Sequence, residues 1–284
     1  MEIAKQTREI LRKHDLRLKK GLGQNFLVDT SVLDQIVEAA DLSEDETVVE
    51  IGPGIGALTE KLAQSAGKVI AVELDQRLIP VLEENLSAYN NVEIVEGDAL
   101  EVDFDQLAGG DYKVVANLPY YITTPILRRL LEEDFSVTEI FVMVQKEVAE
   151  RMAAEPGDKS YGVLSFGVQY YTEAEIEFIV PSSVFIPQPK VQSAVIGLRL
   201  LEQPRVEVID EEFFFKVIRA SFQQRRKMIR NSLSKAANIN LSKEVVEQAL
   251  EEVGIDSRVR GEKLNLEEFA KLSNQLYRGS KKVD

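Results

Sequence analysis

The chain has no cysteine, no tryptophan and a single histidine in 284 residues. Without thiols it can hold no disulfide, thiolate metal site or iron–sulfur cluster, and no cysteine can act as a covalent nucleophile. The lone histidine, His14, cannot build a metal site and reads as a surface or satisfied side chain. No apolar run approaches the roughly 18–20 residues needed to cross a bilayer. The N-terminus has no apolar core of a secretory signal, and Glu2, Glu9 and Asp15 argue against a transit peptide. The expectation is a cytoplasmic protein with no metal and no membrane. Positive charge is scarce as well: 34 Lys and Arg stand against 48 Asp and Glu, a net charge of −14.

What is present is ordinary for a soluble protein, with 44% apolar and 29% charged residues. The length suits one large domain and a small one. The charge is unevenly spread. Residues 1–20 carry +4 through Lys5, Arg8, Arg12, Lys13, Arg17, Lys19 and Lys20. Residues 213–235 carry +7, with no acid among them, which leaves −25 for the remainder. An acidic body with two basic patches can engage a polyanion at chosen places and avoid indiscriminate binding. The plainer alternative is two solvated helix faces.

Ile3, Ile10, Leu11, His14 and Leu18 predict an amphipathic helix over 3–18. A loop with two glycines and two amides follows (Gly21 to Asn25), and Asp29 or Thr30 is placed to cap the next helix. Thr47–Ile51 then reads as a buried strand running into Gly52-Pro53-Gly54-Ile55-Gly56 and a helix from about Leu58 to Ala66. Strand, glycine turn and helix make a nucleotide-binding unit, in which Gly52 and Gly54 let the backbone approach a ligand. The spacing is not that of the dinucleotide fingerprint. A negative Glu50 before the turn would repel a pyrophosphate and favour a ligand with a cationic, phosphate-free end, which S-adenosylmethionine (SAM) has. The second strand, 69–72, ends in Glu73, placed for both hydroxyls of a ribose. The third, 92–95, ends at Asp98, an acceptor for an adenine amine. Strands alternating with helices predict an α/β fold, a Rossmann-like parallel sheet with its site along the carboxyl ends of the strands.

The fourth strand carries the chemistry: Val114-Val115-Ala116-Asn117-Leu118-Pro119-Tyr120-Tyr121. Asn117 stops the apolar run, and Pro119 stiffens the turn and keeps Leu118 out of helical geometry. The Asn117 side-chain oxygen and the Leu118 carbonyl would become two fixed acceptors beside the aromatic rim of Tyr120 and Tyr121. That arrangement suits the amine of an adenine lifted from its stack. Taken alone, the stretch reads more readily as a strand-to-turn junction serving geometry. Phe185, on the proline-stiffened loop 182–193, could form the second face of a base sandwich or belong to the core. After a linker at 201–209 the pattern turns all-helical, with helices near 211–220, 224–236, 243–253 and 265–277. Domains are therefore expected at 1–203 and 204–284, the second a small all-α domain.

The chain resembles the ribosomal RNA adenine N6,N6-dimethyltransferases, and among them the bacterial small-subunit branch. The resemblance rests on KKGLGQNFL (19–27), VVEIGPGIGALT (48–59), VIAVELD (69–75), EGDAL (96–100), NLPYYITTP (117–125), FIPQPKVQSAV (185–195) and FQQRRKMIRNSL (222–233). It implies SAM as cofactor, contacted by Asn25, Leu27, Gly52, Glu73, Asp98 and Asn117. It places the target adenine against Asn117, Leu118, Pro119 and Tyr120, with Phe185 on its other face. The implied reaction is dimethylation of two adjacent adenines near the 3′ end of 16S rRNA, in a small-subunit precursor, by a monomer. Arg225, Arg226, Lys227 and Arg230, expected on one helix, would dock on rRNA phosphates. Large-subunit methyltransferases of the macrolide-resistance type typically carry lysine where this chain has Ile55. A nicotinamide dehydrogenase disagrees with the glycine spacing and with Glu50. A non-catalytic assembly factor on the same scaffold is the remaining alternative, and the intact NLPY turn argues for activity.

Overall fold

The structure, a computed structural model, describes residues 2–14, 16 and 23–281. Arg17, Leu18, Lys19, Lys20, Gly21 and Leu22, which figure in the expected first helix, basic patch and loop, lie outside the described residues. Contacts divide the chain into two compact units, residues 1–149 with 173–200, and residues 150–172 with 201–284. Residues 150–172, expected in the first domain, thus cluster with the C-terminal helices.

In chain order the elements of the first part are α1 (Glu2–Lys13), β1 (Phe26–Leu27), α2 (Thr30–Ala40), β2 (Thr47–Ile51), α3 (Ala57–Ala63), β3 (Lys68–Glu73), α4 (Ile79–Asn85), β4 (Val92–Glu96), α5 (Phe104–Ala108), β5 (Tyr112–Asn117), α6 (Thr123–Glu132), β6 (Val137–Gln145) and α7 (Lys146–Met152). Then follow α8 (Val163–Tyr171), β7 (Thr172–Val180), β8 (Phe185–Ile186) and β9 (Ser193–Leu200). The remaining helices are α9 (Glu211–Gln223), α10 (Ile229–Ser234), α11 (Lys243–Glu252) and α12 (Leu266–Ser280).

The sheet has seven strands in the order β4-β3-β2-β5-β6-β9-β7. Strands β2 to β6 pair in parallel, and β9 runs antiparallel to β6. Central strands such as β2 and β5 read as near-continuous β-branched runs because both faces are covered. Val48, Val49, Val114 and Val115 are fully buried. Chain order reverses between β2 and β5, and ligands of open parallel sheets bind outside the carboxyl ends at such a switch point. Asp29 caps α2, its side chain accepting from the Ser31 and Val32 amides, as one of the two expected capping residues. The two-residue strands β1 and β8 pair antiparallel, Leu27 opposite Phe185.

Among the elements not read from the sequence are α8 and the edge strand β7. The second was legible in principle, since Glu173, Glu175 and Glu177 alternate with smaller or apolar residues. In the helical unit, Phe166, Phe214, Leu250 and Phe269 form a buried core with α8, α9, α11 and α12 around it. Phe166 and Phe269 meet edge-to-face at 4.9 Å. Asn265 and Glu268 form a capping box at the start of α12. Among the described residues no helix is long and apolar enough to cross a membrane.

Candidate functional site

A cleft with about 1060 Å³ of free space, part of it open to solvent, lies at the carboxyl ends of β2 to β5. Five stretches line it: 23–27, residues from 50 to 58, residues from 72 to 78, 97–99 and 117–122. Asn25, Leu27, Gly52, Gly54, Glu73, Asp98, Asn117, Leu118, Pro119 and Tyr120 are all among its lining residues.

The glycine turn is built for close approach. Gly52, Gly54 and Gly56 all have positive φ, between 64° and 90°, where any other residue would be strained. At Gly54 a side chain is also excluded by space, because a Cβ would lie 2.8 Å from the Phe26 ring. The Gly54 amide donates to Glu73 Oε2 at 3.1 Å, and the Asp75 amide to Glu73 Oε1 at 2.8 Å. Each carboxylate oxygen of Glu73 therefore keeps acceptor capacity toward the cleft. Burial raises the pKa of Glu73 and the Asp75 charge adds to this, while the backbone amides oppose it. Asp75 has the opposite setting: hydrogen bonds from Arg77 foremost, and from Gln24, hold its pKa down at about 2 against the effect of burial. Its carboxylate accepts from Gln24 Nε2 at 3.1 Å, tying the 23–25 loop to the end of β3.

Glu50 lies in an apolar setting at the end of β2. It is only 2% exposed, and its Oε2 has no hydrogen-bond partner, like the buried Thr59 hydroxyl. Burial pushes its pKa up to about 8, and the Glu73 carboxylate raises it further. Burial thus disfavours the charge on this carboxyl, which lines the cleft.

At the end of β5 the two expected acceptors are present. Asn117 Nδ2 donates to the Asn25 carbonyl at 3.1 Å, so its Oδ1 is the atom left for the cleft. Leu118 is 1% exposed, and its amide is spent on the Met143 carbonyl at 3.2 Å. Among the described residues nothing donates to Asn117 Oδ1 or to the Leu118 carbonyl. Pro119 closes the turn, its carbonyl accepting from the Ile122 amide and the Thr123 hydroxyl. Tyr120 is anchored through its hydroxyl to Ser193 Oγ at 2.7 Å, whereas Tyr121 is 52% exposed at the rim. Asp98 Oδ1 accepts from the Leu100 amide at 2.9 Å.

Phe185 is not brought to this cleft. It is 3% exposed and belongs to the core cluster that holds Leu27, Val32 and Leu33, so the core reading is the one that the structure shows. Leu74 and Ala99 line the cleft although the sequence reading passed over them. Each directly follows an acid or its turn at a strand tip, and that position was the available signal.

The basic cluster is also rearranged. Residues 224–228 form a turn between α9 and the short α10, so Arg225, Arg226 and Arg230 do not share one helix. The side chains explain the break. Arg225 donates to the Lys159 and Tyr161 carbonyls at 2.9 and 3.1 Å and lies 3.5 Å from Glu262. Arg230 pairs with Glu247 at 2.9 Å. Arg226 and Lys227 remain exposed. Arg260 reaches the same Glu262 at 3.8 Å.

The model of the family described as ribosomal RNA adenine dimethylase matches residues 15–278. The chain is 53% identical over 285 residues to the ribosomal RNA small subunit methyltransferase A of Shouchella clausii (strain KSM-K16), covering 98% of this chain and 96% of that one. Among solved structures it is similar to a dimethyladenosine transferase from Plasmodium falciparum, with a TM-score of 0.80 and 28% identity over 90% of this chain and 98% of the other. It is also similar to the 23S rRNA methyltransferase ErmE, with a TM-score of 0.70 and 29% identity over 89% and 99% of the two chains.

Proposed function

The chain belongs to the ribosomal RNA adenine dimethylase family, and from that premise we propose that it dimethylates N6 of two adjacent adenines near the 3′ end of 16S rRNA, using SAM. The observation that carries this reading is the pair of free acceptors, Asn117 Oδ1 and the Leu118 carbonyl, on residues that line a cleft suited to a nucleoside. Identity of 53% with a small-subunit enzyme over nearly the whole chain favours the small subunit over the 23S reading. The intact acceptor turn favours catalysis over a purely structural assembly role.

The cleft fits SAM. Glu73 offers two oxygens for a ribose, and the orphaned Glu50 carboxyl can meet a cation. When bound, SAM supplies an electrophilic methyl on a sulfonium. The protein's own task is to make the adenine amine a nucleophile, because its lone pair is delocalised into the ring. Asn117 Oδ1 and the Leu118 carbonyl accept its two hydrogens, draw the nitrogen toward tetrahedral geometry, and stabilise the charge that develops there. The Asn25 carbonyl fixes the orientation of the Asn117 amide, and the Tyr120–Ser193 bond fixes the aromatic rim. Holding the amine in line removes orientational entropy from the barrier. Once methylated, the nitrogen is acidic enough to lose its proton to water, so no general base is assigned.

The helical unit docks on the 16S rRNA of the precursor particle through Arg226 and Lys227, and the protein acts as a monomer in the cytoplasm. The test is methyl mapping of small subunits from cells lacking this protein, before and after incubation with the purified chain and SAM. Two dimethylated adenines should appear in 16S rRNA. No new methylation, or methylation of 23S rRNA only, would overturn the assignment.

A further inference from the structure

Glu50 sits at the end of β2, one residue before the glycine turn. It is nearly sealed from solvent, it lines the cleft, and one of its oxygens has no partner. The groups that face it cannot support a negative charge. Glu73 at the end of β3 is a second acid, α3 presents only the Thr59 hydroxyl, and β5 contributes the neutral Asn117 amide to the same cleft. Among the described residues no cation reaches it. A buried carboxylate without a counter-charge is costly enough that the group holds its proton instead.

We propose that Glu50 is neutral in the empty cleft and ionises when the cationic end of the cofactor docks, so that binding expels a proton and the site selects its ligand by positive charge. The carboxylic proton goes to solvent, and the carboxylate left behind becomes the counter-charge that the ligand's cation needs in a water-poor site. Nothing is oxidised or reduced. The empty cleft is spared a buried, unpaired charge beside Glu73, and a neutral or anionic nucleoside gains nothing from Glu50. The inference rests on the reading that SAM is the cofactor.

Linkage fixes the expected behaviour. With the carboxyl titrating at about 8 in the empty protein, SAM affinity should rise close to tenfold per pH unit from about pH 6 to 7.5 and level off above pH 8. Calorimetric titration of the full chain at pH 6.5, repeated in buffers of different ionisation enthalpy, counts the protons directly. Wild type should release close to one more proton per SAM than Glu50→Gln, which mimics the neutral carboxyl and is expected to fold. Comparing the two cancels any titration of the ligand's own amine. Methylthioadenosine, the same nucleoside without the charged end, should bind wild type with no such release. Equal proton counts in wild type and Glu50→Gln, or a wild-type affinity that does not change with pH, would overturn the proposal while leaving SAM as cofactor. Absence of SAM binding altogether would overturn both.

Discussion

Replacing Arg129 with alanine should loosen the cofactor cleft from behind. Arg129 lies on α6, outside the cleft, with its side chain 13% exposed. Its Nη1 donates to the Ala99 and Val102 carbonyls at 2.9 and 2.8 Å, clamping the turn that carries Asp98. The guanidinium also lies 5.4 Å from the ring centre of Phe104 and 5.1 Å from that of Phe135. Hydrogen bonds from a charged group are worth about 1.5–3 kcal/mol each, and each cation–π contact about 0.5–1 kcal/mol. The bond to Glu133, a half-exposed carboxylate, adds less than about 1 kcal/mol. Truncation should therefore cost the sheet unit at least about 4 kcal/mol, a large share of a typical unfolding free energy of roughly 5–15 kcal/mol. Re-ordering even one residue's worth of backbone on binding costs about 1–2 kcal/mol, so SAM affinity should fall roughly tenfold. Turnover at saturating SAM should stay within about twofold, because Asn117 and Leu118 are untouched. Arg129→Lys keeps the charge without the two-carbonyl fork and should fall between. Hydrogen exchange reads the clamp directly, at the Glu101 and Val102 amides bonded to the Asp98 carbonyl. Unchanged protection there, together with unchanged SAM affinity in Arg129→Ala, would refute the reasoning.

Other perturbations probe the remaining parts. Asn117→Ala should still bind SAM but methylate about 10²-fold more slowly or worse in single turnover, and a near wild-type rate would remove the acceptor model. Glu73→Ala should weaken SAM binding by about 1–3 kcal/mol by stranding the ribose hydroxyls, measured by calorimetry. Changing both Arg226 and Lys227 to glutamine should lower the salt slope of small-subunit binding by about two units without altering SAM affinity. Arg225→Gln should instead disturb the fold around Lys159, and binding isotherms at several salt concentrations separate the two cases. In the cofactor-free protein the Glu50 carboxyl titrates at about 8, against an ordinary value of 4.5. Its contribution to stability is complete below pH 4.5 and is lost as pH rises to about 8, so denaturation midpoints should fall across that window and flatten in Glu50→Gln.

The positions of the cleft residues were legible because each depends on local chemistry. Gly54 must be glycine where φ is positive and a ring lies close. Glu73 and Asp98 stand at strand tips, where a parallel sheet presents its ligands. Asn117 marks where an apolar strand stops. The basic turn was misread because Gln224, Arg225, Arg226 and Lys227 are good helix formers with no glycine or proline among them. Three hydrogen bonds to distant carbonyls overrode that propensity. Arg225 was drawn to two carbonyls of the 159–161 segment, and the Ile229 amide to the Val259 carbonyl.

Sequence alone determined the alternation of strands and helices, the glycine turn and the acceptor pair, because period, turn chemistry and strand ends act over a few residues. Tertiary structure alone decided the rest, since each outcome depends on neighbours distant in the chain. It sent Phe185 into the core opposite Leu27. It gathered 150–172 with the C-terminal helices. It also buried Glu50 beside Glu73 with no cation in reach among the described residues, and so raised the pKa of its carboxyl, since charge depends on surroundings that only folding assembles.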